Sequence, residues 1–454
     1  MSPFGFTPDD GDDANGKPED FNSEEFQAMM RQMQEQIQKQ LEQLGINPAG
    51  FANPFAAFSQ GLQGSQEVLP PSVVRDTAKK FVQAQGSQPI GTKDVTVVDN
   101  AFEIAEIWLN EATVFPATTG NTSQRAVSRL DWVDQTLNGW QATMEPLATG
   151  LSSAISALLD EAMAQQAHDA EDQNVDAVAG PMGTIAGLLR SFIGSLIATQ
   201  LGQAIGGISS TATGAHDVGL PLLDPARPVL IPENIEKWSQ DLDIPKSEIY
   251  LFHALREAAI ARLFEHNPWL VSYIRSAIVD YGRGIHIDMD AIQRQAEDAM
   301  QNFDPSQMNP ASMENSFTLA LNNGIFTPEE TPAQRAALSK LETALALVDG
   351  WADEVTALAA GERLPAISQL REMYRRQRAT SAPSQQLFKT LLGLEVTPKL
   401  SREASAFWQK IRETKDIAAR DQIWSGILPS ADELIDPQGF LTSTEIPDDL
   451  SGLL

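Results

Sequence analysis

The stretch YLFHALREAAIARLFEHNPWL, Tyr250 to Leu270, constrains the fold of this chain more than any other part of it. Its apolar residues recur at helical spacing. Advancing about 100° per residue from Ile249 places Ile249, Phe252, Ile260, Leu263 and Phe264 on one side. Arg256 falls in the middle of that side, with His253 beside it and Glu257 at its edge. Ala254, Ala258, Ala261, Arg262 and Glu265 take the opposite side, so the pattern predicts an amphipathic helix. A guanidinium cannot escape burial by losing its proton, and an unpaired buried charge is strongly destabilising. The fold must therefore bring an acid to Arg256 or open that face to water.

A second segment offers the acid. In LSKLETALALVDGWADEV, Leu338, Leu341, Leu345, Val348 and Ala352 form one apolar stripe. Asp349 lies on the margin of that stripe, and Glu342 and Asp353 flank it on the same side. An ion pair between two core helices is the plainest reading. A working or remnant active site is the other, with a solvated groove the third.

Helical patterns dominate the rest of the chain, which is rich in Ala, Leu, Gln and Glu. The spacing predicts helices over 71–85, 99–111, 125–137, 151–166, 182–208, 232–240, 246–265, 268–281, 290–301, 333–360, 366–379, 384–392, 400–414 and 418–425. Strands are expected only at Val95–Val98 and Pro228–Ile231. The fold class is all-α, or nearly so, with few short strands. Residues 1–69 read as an acidic flexible segment carrying one amphipathic helix, about 23–44, and an aromatic-bearing linker. Residues 70–440 form the helical domain, and 441–454 an acidic tail.

Composition excludes several functions. A formal net charge of −29 argues against binding nucleic acid, which needs clustered Lys and Arg. The chain has no cysteine, so disulfides, thiol catalysis and cysteine-ligated metals are out. The acidic N-terminus lacks the basic start and apolar run of a secretory signal, and a cytoplasmic location is expected. In PMGTIAGLLRSFIGSLIATQLGQAIGG, small residues recur at a spacing of four. Arg190, Gln200 and Gln203 make a membrane span costly, so this segment reads as a helix that others approach closely. No phosphate-binding loop, dinucleotide fingerprint or nucleophile elbow occurs.

From about Pro70 onward the chain resembles the zincin-like metallopeptidases widespread in actinobacteria, one branch of which is associated with biosynthesis of a deazaflavin coenzyme. The resemblance is carried by LGQAIGG, DVGLPLL at Asp217–Leu223, LREAAIARLFEHNPWL, LVDGWADEV and LFKTLLGLEVTPKLSREASAFW. Metal-binding members carry His-Glu-x-x-His on a helix, where two His one turn apart grip zinc and the Glu acts as general base. The resemblance places Glu257 at the general-base position, Arg256 where the first His stands and Ile260 where the second stands. Asp349 falls near a position that supplies a third ligand. Two ligand positions are thus replaced, and Arg256 supplies positive charge in place of a dication.

The resulting expectation is a degenerate zinc site in a non-catalytic protein that binds a protein or peptide partner, with no cofactor and a possible homo-oligomeric state. The alternative is an active zinc hydrolase in which Glu257 works with a metal held by His253, His266 or His286 together with Asp349. A metal-free hydrolase using Glu257 is a third. His168 and His216 read as surface or loop residues.

Overall fold

The computed structural model describes residues 68–119, 124–171, 194–195, 197–284, 331–381, 385, 400–426 and 428–444. All fall in one compact unit, Ala57–Leu454. The expected N-terminal helix at 23–44 with its linker, the expected helix at 290–301, nearly all of 384–392, His286 and the tail beyond Thr444 lie outside the described residues.

The described chain is helical: α1 (Pro71–Gln85), α2 (Thr92–Ala112), α3 (Arg129–Glu171), α4 (197–209), α5 (Pro232–Trp238), α6 (Lys246–His266), α7 (Pro268–Arg283), α8 (Pro332–Ala360), α9 (Ile367–Ser381), α10 (Ser401–Thr414), α11 (Ile417–Gln422) and α12 (Pro437–Thr444). Local sequence sets many of the ends. Pro71 and Pro332 stand at first-turn positions, where a missing N–H costs nothing. Thr331 and Gln334 close a reciprocal capping box on α8, and Gly361 ends it at a positive φ of 48°.

No strand forms among the described residues. Val95–Val98, expected as a strand, lies inside α2, where the Asp94 carboxylate accepts the Gly91 N–H and caps the helix. The other expected strand is reduced to isolated bridges of Leu230 with Ala126 and Gly214. The two helices expected at 125–137 and 151–166 are one continuous helix, α3, running through Pro146.

Helix α8 is the hub, packing against α2, α6, α7, α9 and α10. Helix α6 lies between α2 and α8, with α9 also against it. Every residue of α6 from Ile249 to Phe264 is buried, so it is not the one-faced amphipathic helix that the pattern predicted. Its alanine side meets α2, and Arg262 on that side is fully buried against the Glu106 carboxylate and backbone carbonyl. Burial of each large apolar residue of α6 contributes roughly 1.5–3 kcal/mol. The small-residue spacing in α4 serves helix packing. A Cβ on Gly202 would lie 2.7 Å from Thr77 Cβ, and one on Gly206 would lie 2.8 Å from Phe81 Cβ, both on α1. Among the described residues, no helix is long and apolar enough to cross a membrane.

Candidate functional site

Arg256 sits in mid-α6 and is 4% exposed. Its Nη2 donates to Asp349 Oδ1 at 2.5 Å, and its Nη1 lies 3.7 Å from Asp353 Oδ1. The Tyr374 ring covers the guanidinium, 4.1 Å from the central carbon to the ring centroid, a cation–π contact. Asp349 and Asp353 are one turn apart on α8, so one helix supplies both carboxylates. Glu342 is placed two turns before Asp349 on the same helix.

Asp353 is shared. Arg371 approaches it with Nε at 3.0 Å and Nη2 at 2.6 Å, Arg375 donates to the same Oδ2, and Ser405 Oγ donates to it at 2.7 Å. Burial alone would raise the Asp353 carboxyl, but Arg371, Arg256 and Arg375 hold it well below the usual carboxylate range. Asp217 forms a second node, accepting from Tyr374 Oη at 2.6 Å, from Thr213 N–H at 2.9 Å and from Arg378. Burial opposes its ionisation too, and Arg378, Tyr374 and Thr213 outweigh it. Arg371, Tyr374, Arg375 and Arg378 recur at steps of three and four, so one face of α9 supplies this whole cover.

Glu257 points elsewhere. Its carboxylate accepts the backbone N–H of Ala215 at 2.9 Å, of His216 at 3.1 Å and of Val229 at 3.3 Å. His216 Nδ1 lies 2.9 Å from the same carboxylate, and with its proton there it donates a further bond. Gly214 makes this approach possible, because a Cβ there would stand 2.3 Å from Glu257 Oε2. His216 lies in a loop, one of the two expected settings, but is fully buried there and not at the surface. Its donor role depends on a loop folding back onto α6, which no local pattern encodes. His168 lies within α3.

His253 is 3% exposed, and among the described residues its Nε2 has no hydrogen-bond partner. The Trp238 ring meets it edge-on, 4.8 Å between centroids. Burial first, then Arg256 and Arg378, push its pKa down to about 4 against the pull of Asp217, so the ring is neutral at pH 7. Ile260, a turn beyond Arg256, is buried. His253, Arg256, Glu257 and Ile260 line one small cavity with Thr213, Asp217, Leu230 and Tyr374. Its volume is about 10 Å³, close to the least that holds a single water.

These residues do not fit a zinc ion. A guanidinium and an isoleucine stand one turn apart on α6, and Glu257 is occupied by backbone donors. His266 is exposed, bonds Pro116 O at 3.1 Å and lies more than three turns from His253, roughly 20 Å along the helix. The two imidazoles cannot share an ion. Among the described residues, no group of three His, Asp or Glu side chains is placed to hold a metal.

Sequence reasoning found Arg256 and its α8 partners but missed Asp217, His216 and the α9 face. The signal for α9 lay in REMYRRQR, where Arg371, Tyr374, Arg375 and Arg378 fall on one side of a helix.

Residues 71–441 match the family described as Zincin-like metallopeptidase. A comparison with curated proteins finds no match. A crystal structure from Chloroflexus aurantiacus, described as a putative hydrolase with a novel fold, matches with a TM-score of 0.53 at 16% identity. The match covers 83% of this chain and 100% of that one. At that identity the likeness is one of fold.

Proposed function

The chain belongs to the zincin-like metallopeptidase family, and from that membership we propose that it is a member whose zinc site has been given up and whose role is to bind a protein or peptide without hydrolysing it. One observation carries this reading. The carboxylate at the family's general-base position, Glu257, is engaged by three backbone N–H groups and the His216 ring. A general base needs a free lone pair within reach of the proton it takes, and Glu257 directs Oε1 at the Ala215 and Val229 N–H groups and the His216 ring and Oε2 at the His216 N–H, a hold it would have to loosen to act as a base. The replacements at Arg256 and Ile260 agree with this. The acidic head and methionine-bearing helix expected at 23–44 suit partner contact, and action in the cytoplasm fits the sequence.

The test is metal analysis of the purified full chain after incubation with zinc, with peptidase assays alongside. The expected result is zinc far below one ion per chain and no hydrolysis above that of Glu257→Gln. Stoichiometric zinc that is lost in His253→Ala, together with hydrolysis, would establish the active peptidase with a non-standard ligand set instead.

A further inference from the structure

Helix α2 is apolar on both sides. Val98, Ala101, Phe102, Ala105, Leu109 and Ala112 are buried, and the helix packs against α6 and α8. Among the described residues, the exposed large hydrophobics are Val97 at 39%, Ile104 at 41%, Ile107 at 62%, Val114 and Ile435. Three of these belong to α2, and Val114 follows its cap, so exposed apolar surface is concentrated on one helix. The spacing is regular. Lys93, Val97, Asn100, Ile104, Ile107 and Glu111 are all exposed and recur at alternating steps of four and three. That is the 3.5-residue period of a coiled-coil seam, whose other half is a facing helix.

We propose that this seam is the interface of a homodimer, in which α2 meets α2 of a second copy, antiparallel about a two-fold axis. The seam is complementary to its own reverse. In that register Val97 lies opposite Ile107 of the second copy, Asn100 opposite its Ile104 and Lys93 opposite its Glu111. Each pair occurs twice, as a two-fold interface requires. The ends carry the charge complementarity. Glu111 is 64% exposed and holds Arg363 at 3.0 Å through Oε2, which leaves Oε1 for the lysine of the second copy. A parallel pairing would set Lys93 against Lys93 and Glu111 against Glu111, and like charges disfavour it. Asp99 and Glu106 are paired within the chain with Arg125 and Arg262, and Asp94 turns to the helix cap. Glu103 opposes the dimer, because it borders the seam and comes near its own copy across the axis. It is exposed, so water and salt screen that contact. Asn100, polar in the seam, weakens the pairing but fixes its register. Helix α2 is already held by its buried face, so pairing orders little new chain. One helix pair is at the low end of interface sizes, and a reversible dimer with micromolar dissociation is expected.

Sedimentation equilibrium of the full chain over about 1 to 200 μM tests this, in about 0.15 M salt to screen the net charge. A monomer–dimer equilibrium is expected. Ile107→Glu raises the dissociation constant at least about tenfold, and Asn100→Leu and Glu103→Gln each lower it. Lys93→Glu weakens the dimer, and Lys93→Glu combined with Glu111→Lys restores it. These positions are exposed, so thermal melts of the variants should stay close to that of the native chain, and rescue by the charge exchange is a result that misfolding does not imitate. A chain that stays monomeric throughout overturns the dimer and leaves the face to a different protein. A dimer indifferent to Ile107→Glu overturns the face, and one that the charge exchange fails to restore overturns the antiparallel register.

Discussion

Arg256 shows how one side chain can dictate its surroundings. It is buried, permanently charged and held by two carboxylates and an aromatic face. Arg256→Ala leaves Asp349 without its cation and opens a void under Tyr374, and a loss of about 3–5 kcal/mol is expected. Urea unfolding at pH 7 measures it, and an unchanged midpoint would refute the buried-pair account. Asp353→Asn should cost more than Asp349→Asn, because Asp353 is 6% exposed and serves three arginines while Asp349 is 27% exposed. This residue was legible in the sequence because a wheel alone put a charge among Phe252, Ile260 and Leu263, and the demand for an acid followed from electrostatics. His216 was not legible. It lies 41 residues from Glu257, and nothing in its own neighbours says that a loop will fold it under α6.

At the scale of elements, the loop 213–217 is fixed to α6 through Glu257, and Gly214 is the hinge of that fit. Gly214→Ala would drive a methyl group into the carboxylate and should destabilise by about 1–3 kcal/mol. Gly426→Ala, whose nearest new contact is 3.8 Å, serves as the control in the same thermal melts. The helices bounded by Pro and Gly, such as α1 and α8, were readable almost to the residue. The errors have physical causes. The break expected between 137 and 151 does not occur, and Gly139 and Gly150 within that stretch are points of close approach, to Leu222 and Gly282. The β-branched run at Val95–Val98 suggested a strand, but Val98 packs into the core on a helical face and the Asp94 cap fixes the start. Burial and capping overrode a local propensity.

For the whole molecule, acid should weaken the fold well before the carboxylates titrate. His253 protonates near pH 6.5 in the unfolded chain but only near 4 when buried. Its contribution is therefore complete above pH 6.5 and is lost as pH falls from there towards 4, by up to about 3 kcal/mol. Asp353 and Asp217, held low by their arginines, give up their share only below about pH 4. Urea midpoints at pH 7.5 and 5 should differ in the native chain and much less in His253→Phe. The all-helical architecture was legible from composition and spacing. The burial of α6 on every side was not, since a run of alanines opposite an apolar stripe looks the same whether it meets water or α2. That complete enclosure has a consequence for how this protein meets others. Among the described residues, the segment that carries the family resemblance has no face open to water, so on the proposed reading a partner would touch only the elements that wrap it.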